Sequence, residues 1–75
     1  MRKEEELAHP TSCLNKARPA EWLFVLLGRD AAAPVAVRAW VAERLRLGKN
    51  APGDPQIVEA EQWCVNVETE QRQAK

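Results

Sequence analysis

Pro19-Ala20-Glu21-Trp22-Leu23-Phe24-Val25-Leu26-Leu27-Gly28 is the stretch on which the fold turns. Proline suits the first turn of a helix, an acid there favours the dipole and glycine suits the end, so the punctuation reads as a short helix. The continuous apolar run from Trp22 to Leu27 leaves a second reading open, because periodicity does not separate such a run from a buried strand. A strand needs a partner, however, and the other β-leaning stretch is Cys64-Val65, with Val67 just beyond. The expectation is a short helix buried on nearly every side.

Downstream, Asp30 offers an N-cap oxygen, Pro34 falls in the first turn and Gly48-Lys49-Asn50 supplies a stop. At about 100° per residue, Ala33, Val37, Trp40, Val41 and Leu47 share one face of this helix, with Arg38, Ala42 and Arg46 opposite. Asn50-Ala51-Pro52-Gly53 reads as a turn, and Asp54-Pro55 repeats the cap-then-proline signature. It opens a last helix to about Gln71, whose inner face is Ile57, Ala60, Trp63, Cys64 and Val67. Trp40 and Trp63 are expected to face a shared interior. Upstream, Met1–Glu6 is charged on almost every side chain and reads as a frayed terminus or solvated helical turn. His9-Pro10-Thr11-Ser12 reads as a loop, after which Cys13 and Leu14 could insert as a small apolar plug.

The fold class predicted is all-α: a small three-helix bundle, with one short apolar helix and an antiparallel pair of longer ones. Residues 1–12 are assigned to a flexible N-terminal segment, 13–72 to a single helical domain and 73–75 to a C-terminal tail. At 75 residues, 45% apolar and 29% charged, the chain has room for one modest core.

Eleven basic and eleven acidic side chains cancel, which removes the strong electrostatic argument for nucleic acid or an anionic membrane as partner. The distribution is uneven, with a basic middle from Lys16 to Lys49 and an acidic stretch from Asp54 onward. Antiparallel packing would let the two neutralise each other, while the alternative is a bipolar docking surface. Two cysteines and no leading signal sequence point to a reducing cytoplasm. The run Trp22–Leu27 is far short of the ~20 residues that cross a bilayer, so no membrane partner is expected.

His9 and Cys13 stand four apart, a spacing that can bring two metal ligands onto one helical turn, with Cys64 a conceivable third. Structural zinc wants four ligands in paired motifs that this chain lacks, and both cysteines read better as small buried hydrophobes. A Cys–His nucleophile would need a thiolate-stabilising site and oxyanion donors, and none is legible. No catalytic residue, cofactor or metal is therefore assigned.

Arg44 shares the face of Val37, Trp40, Val41 and Leu47. Either its aliphatic stem covers the core while the guanidinium reaches water or an acid of the last helix, or this end of the face is open to a partner's carboxylate or phosphate. Trp22 opens its run and is the best candidate for an exposed anchor. Val58 and Val65, at i and i+7 and off the inner face, are what a modest homodimer seam would need. Arg38, Arg46 and Lys49 could touch phosphates, but three cations make only a weak, salt-sensitive contact.

Cys13-Leu14-Asn15-Lys16-Ala17, Leu23-Phe24-Val25-Leu26-Leu27-Gly28-Arg29-Asp30, Ala33-Pro34 and Val37-Arg38-Ala39-Trp40 together resemble a family of small uncharacterised bacteriophage and prophage proteins. The resemblance extends to the Ala-, Glu- and Trp-containing pattern from Ile57 to Trp63 and so covers roughly residues 13–63. The chain departs from it at Trp22, where a proline is expected after the acid. The resemblance brings no activity, ligand or site residue with it; it implies a mobile-element accessory protein in a bacterial cytoplasm. The expected function is thus a non-enzymatic protein–protein interaction with a host or phage protein through Trp22 or Arg44, with self-association into a homodimer as a further partnership. Weak nucleic-acid binding through Arg38, Arg46 and Lys49 is the alternative.

Overall fold

A computed structural model describes residues 2–73 and contains four helices: α1 (Lys3–Ala8), α2 (Cys13–Lys16), α3 (Ala33–Arg46) and α4 (Pro55–Gln73). Among the described residues there is no strand, so the all-α class stands. The three-helix bundle does not. Residues 22–27 form neither helix nor strand, and they carry no turn or bend either. With no helix, turn or bend to curve it, and with no positive φ outside glycine among the described residues, the run is drawn out. A helix of six residues closes few internal hydrogen bonds against a costly nucleus, and its stability has to come from packing. Here no neighbouring surface is wide enough to cover an element that is apolar all round.

The remaining long helices form a hairpin. Pro34 sits in the first turn of α3, as its fixed φ favours, but the helix begins three residues after Asp30. The Asp30 carboxylate instead accepts a hydrogen bond from the Ala32 N–H at 2.8 Å, making a local turn. At the other end, Gly48 takes φ +72°. Its N–H donates to the Leu45 carbonyl and that of Lys49 to the Arg44 carbonyl, each at 3.1 Å, which is the Schellman stop. The chain then reverses through residues 47–54. The Gln71 amide on α4 donates at 2.9 Å to the carbonyls of Gly28 and Asp30, just ahead of α3, so α3 and α4 run antiparallel.

The core is small. Ala33, Pro34, Val41, Ile57, Cys64 and Val67 are its buried apolar side chains among the described residues, and Ile57 and Cys64 are the largest that are fully enclosed. The inner face expected for α4 is therefore correct at Ile57, Cys64 and Val67, with Ala60 and Trp63 half-buried behind them. On α3 the expectation holds for Ala33 and Val41 and fails for Trp40 and Leu47, which are 39% and 50% exposed. Two helices offer one another a single line of contact, and an indole at the flank of that line stays partly in water. The radius of gyration, 13.3 Å, exceeds the roughly 11 Å of a tightly folded chain of this length and reflects the same open construction.

The N-terminal residues form a second, polar unit. Ser12 caps α2 by accepting the Asn15 N–H at 3.2 Å and donates its own hydroxyl to the Glu6 carbonyl at 2.7 Å. The Asn15 side-chain amide donates to the carbonyls of Glu6, Leu7 and His9 at 3.0, 2.9 and 2.8 Å, satisfying the open end of α1. Residues 3–8 are therefore helical and joined to α2 across residue 12, and Arg2 pairs with Glu70 of α4 at 3.3 Å. Cys13, expected as part of an apolar plug, is exposed, and Leu14 is half-buried. Of the tail assigned to residues 73–75, Gln73 ends α4, and 74 and 75 lie outside the described residues.

Candidate protein-binding site

The drawn-out run is fastened at both ends and free between them. Before it, the Glu21 N–H donates to the Arg18 carbonyl at 3.0 Å while the Glu21 carboxylate accepts the Arg18 N–H at 3.0 Å, closing a turn around Pro19. After it, the Asp30 N–H donates to the Leu27 carbonyl at 3.0 Å, and Gln71 holds the Gly28 and Asp30 carbonyls. A side chain at Gly28 would meet Val67 at 3.4 Å, so the absence of one lets the chain lie close against α4. Between these anchors, no backbone N–H or C=O from Trp22 to Leu26 has a hydrogen-bonding partner among the described residues.

Most of the side chains are equally uncovered, with Leu26 alone half-buried. Trp22 is 99% exposed and Phe24 86%, while Leu23, Val25 and Leu27 are each more than half exposed. Single apolar residues on a surface are ordinary, but a contiguous apolar patch marks an interaction site. Trp22 is therefore where an exposed anchor was expected. Phe24 was missed, because a helix buried on every side hides it and nothing in the run ranks one large side chain above another.

Arg44 is built into the fold. Its Nε donates to the Asn50 side-chain oxygen at 2.6 Å, and its guanidinium lies 5.6 Å from the centroid of the Trp40 ring. Asn50 in turn donates to the Asp54 carboxylate at 3.1 Å and the Gln56 side-chain oxygen at 3.2 Å, and Asp54 accepts the Ala51 N–H at 3.0 Å. This network ties the end of α3 to the start of α4. Arg44 thus finds its partner in the hairpin turn, at the opposite end of the hairpin from the Gly28 anchor of the exposed run.

The basic stripe is largely compensated. Arg38 makes a two-pronged hydrogen bond to Glu68 at 2.5 and 2.7 Å, and Arg46 pairs with Glu43 one turn earlier. The Arg38 guanidinium holds the Glu68 carboxyl below its ordinary range. Lys49 is exposed beside the turn and makes no ion pair among the described residues. The pairing of Arg38 with Glu68 is the cross-helix neutralisation that the charge distribution suggested.

Cys64 is fully buried and its thiol lies 3.6 Å from the Pro34 carbonyl. Burial pushes its pKa up, so it remains a packed thiol. The His9 Nδ1 and the Thr11 hydroxyl share a hydrogen bond at 2.9 Å. Among the described residues no three metal-ligating side chains come together, and no helix is long and apolar enough to cross a membrane. Neither protein-family models, nor curated proteins, nor solved structures show a match to this chain.

Proposed function

We propose that this protein is a non-enzymatic accessory factor of the phage or prophage type, acting in a bacterial cytoplasm by binding a host or phage protein through Trp22–Leu27. One observation carries the reading: in a run of six consecutive apolar residues, Trp22, Leu23, Phe24, Val25 and Leu27 are exposed and only Leu26 is half-buried, and the backbone of Trp22–Leu26 is unpaired among the described residues. Leaving such a segment in water forgoes both apolar burial and backbone hydrogen bonding, and a protein surface supplies both at once. Trp22 and Phe24 are the anchors of this contact. Arg44 stabilises the hairpin that displays it.

Nucleic-acid binding through Arg38, Arg46 and Lys49 is the weaker reading, since two of those three cations already face carboxylates of the same chain. The test compares tagged wild-type protein with Phe24→Asp and with Lys49→Glu in extracts of a bacterial host, with and without phage proteins. Loss of a specific protein with Phe24→Asp and its retention with Lys49→Glu is the expected result. A bound set indifferent to Phe24→Asp would remove the reading.

A further inference from the structure

We propose that the peptide bond between Phe24 and Val25 is a processing site: an endoprotease whose specificity pocket takes a large apolar side chain hydrolyses it in the folded protein and frees residues 1–24 from the α3–α4 hairpin. The inference goes beyond the binding reading and does not depend on it. A protease takes its substrate as an extended strand, pairing with N–H and C=O groups on either side of the bond it cuts while one side chain fills its pocket. From Trp22 to Leu26 the backbone is already drawn out and unpaired among the described residues, and Trp22, Leu23, Phe24 and Val25 are exposed. Nothing has to unfold first.

The turns at the two ends of the run select the bond. For a cut after Phe24, Trp22 and Leu23 precede the bond and Val25 and Leu26 follow it, all within the drawn-out run. A cut after Trp22 would draw on Ala20 and Glu21, which belong to the turn that Glu21 closes with Arg18. A cut after Leu26 would draw on Leu27 and Gly28, whose carbonyls are held by the Asp30 N–H and by Gln71. Elsewhere, Leu7, Trp40 and Trp63 lie inside helices, and Leu47 donates its N–H to the Glu43 carbonyl at 2.9 Å, so those backbones must open before they fit a cleft. Hydrolysis adds one water across the bond: its oxygen joins the Phe24 carbonyl carbon, which becomes a carboxylate, and its two protons join the Val25 nitrogen, which becomes an ammonium group.

The cut falls between two units that hold each other weakly. Helices α1 and α2 pack on each other, as do α3 and α4, and neither pair packs on the other. The buried apolar side chains of the core all lie between Ala33 and Val67, and the hold of Gln71 on Gly28 and Asp30 stays on the hairpin side of the cut. Across it remains the ion pair of Arg2 with Glu70 at 3.3 Å, whose side chains are 72% and 66% exposed, and a pair so open to water contributes little. Hydrolysis therefore releases the N-terminal unit and leaves the hairpin with its core complete.

Brief digestion of the full chain with a trace of chymotrypsin, followed by mass spectrometry, circular dichroism and gel filtration, tests the proposal. The expected result is a first cut between Phe24 and Val25, after which the fragment from residue 25 onward keeps its helical signal and elutes apart from residues 1–24. Phe24→Ala slows that cut about tenfold or more, because the specificity pocket is left unfilled. Gly48→Ala leaves its rate unchanged, while the later cuts at Trp40 and Trp63, which wait for unfolding, become roughly 5–30-fold faster. A first cut at any other bond overturns the proposal, and so does a cut after Phe24 that accelerates in Gly48→Ala as the later ones do, since cleavage would then follow unfolding. Loss of the helical signal with the first cut, or fragments that stay together, overturns it equally.

Discussion

Arg38 on α3 and Glu68 on α4 join the two long helices through a fork of two hydrogen bonds at 2.5 and 2.7 Å. The Glu68 carboxyl titrates below its ordinary range because it accepts these bonds. Its contribution to stability is therefore complete above the pKa of a free carboxylate and is lost as pH falls through the depressed folded value. Thermal unfolding followed across the acid range should show the melting midpoint falling at low pH, and falling less steeply in Glu68→Gln. Because both side chains stand well out in solvent, the difference between the proteins should shrink at high salt.

Ile57 has no exposed surface, and removing most of its side chain leaves a cavity that two helices cannot easily close around. Ile57→Ala should cost about 2–5 kcal/mol, comparable to the ~3–5 kcal/mol that a core this small supplies, so urea denaturation should show a chain largely unfolded without denaturant. Trp40→Ala should be the milder change, since the indole is 39% exposed, and its helical circular dichroism should survive.

Gly48 has open space around it and a backbone at φ +72°, so any cost of adding a methyl group there is conformational and not steric. Gly48→Ala should lower stability by about 1–2 kcal/mol in urea titration. Gly53 also has open space but lacks the positive φ, and Gly53→Ala should be neutral or slightly stabilising.

How much of this was legible follows from the range of the interactions involved. Pro34 and Gly48 mark their helix ends through their own backbone preferences, and both marks are correct. The spacing of Ile57, Cys64 and Val67 registers one face against one neighbour and needs nothing else. Trp22–Leu27 is different, because an apolar run satisfies helix and strand patterns alike and its conformation depends on whether a surface exists to cover it. Trp40 fails for a related reason: a helical wheel gives direction but not depth, and depth depends on how many neighbours surround the face. The partners of Arg44 were hidden too, since Asn50 reaches it only once Gly48 has turned the chain.

Asn15 holds three carbonyls at the end of α1, and Ser12 holds a fourth contact between α1 and α2. This polar unit meets the hairpin through Arg2 and Glu70, so its loss should remain local. Asn15→Ala and Ser12→Ala, the latter costing about 1 kcal/mol of cap energy, should raise amide hydrogen exchange over residues 3–16. Protection in α3 and α4 should be unchanged.

Arg44→Glu separates the two roles open to this residue. The wild-type guanidinium donates to the Asn50 oxygen and lies over Trp40, and Asn50 carries the link on to Asp54. Glutamate has no N–H to give and places a negative charge near the Asp54 carboxylate, so the turn loses a donor and gains a repulsion. The expected result is a fall in the urea midpoint by about 1–3 kcal/mol of stability, with association through Trp22–Leu27 unaffected wherever the chain remains folded. Raising the salt concentration should recover part of the loss, because the repulsive component is screened while the missing hydrogen bond is not. Unchanged stability with abolished protein binding would instead make Arg44 a contact residue, and it would show that the hairpin turn holds without its Asn50 bond.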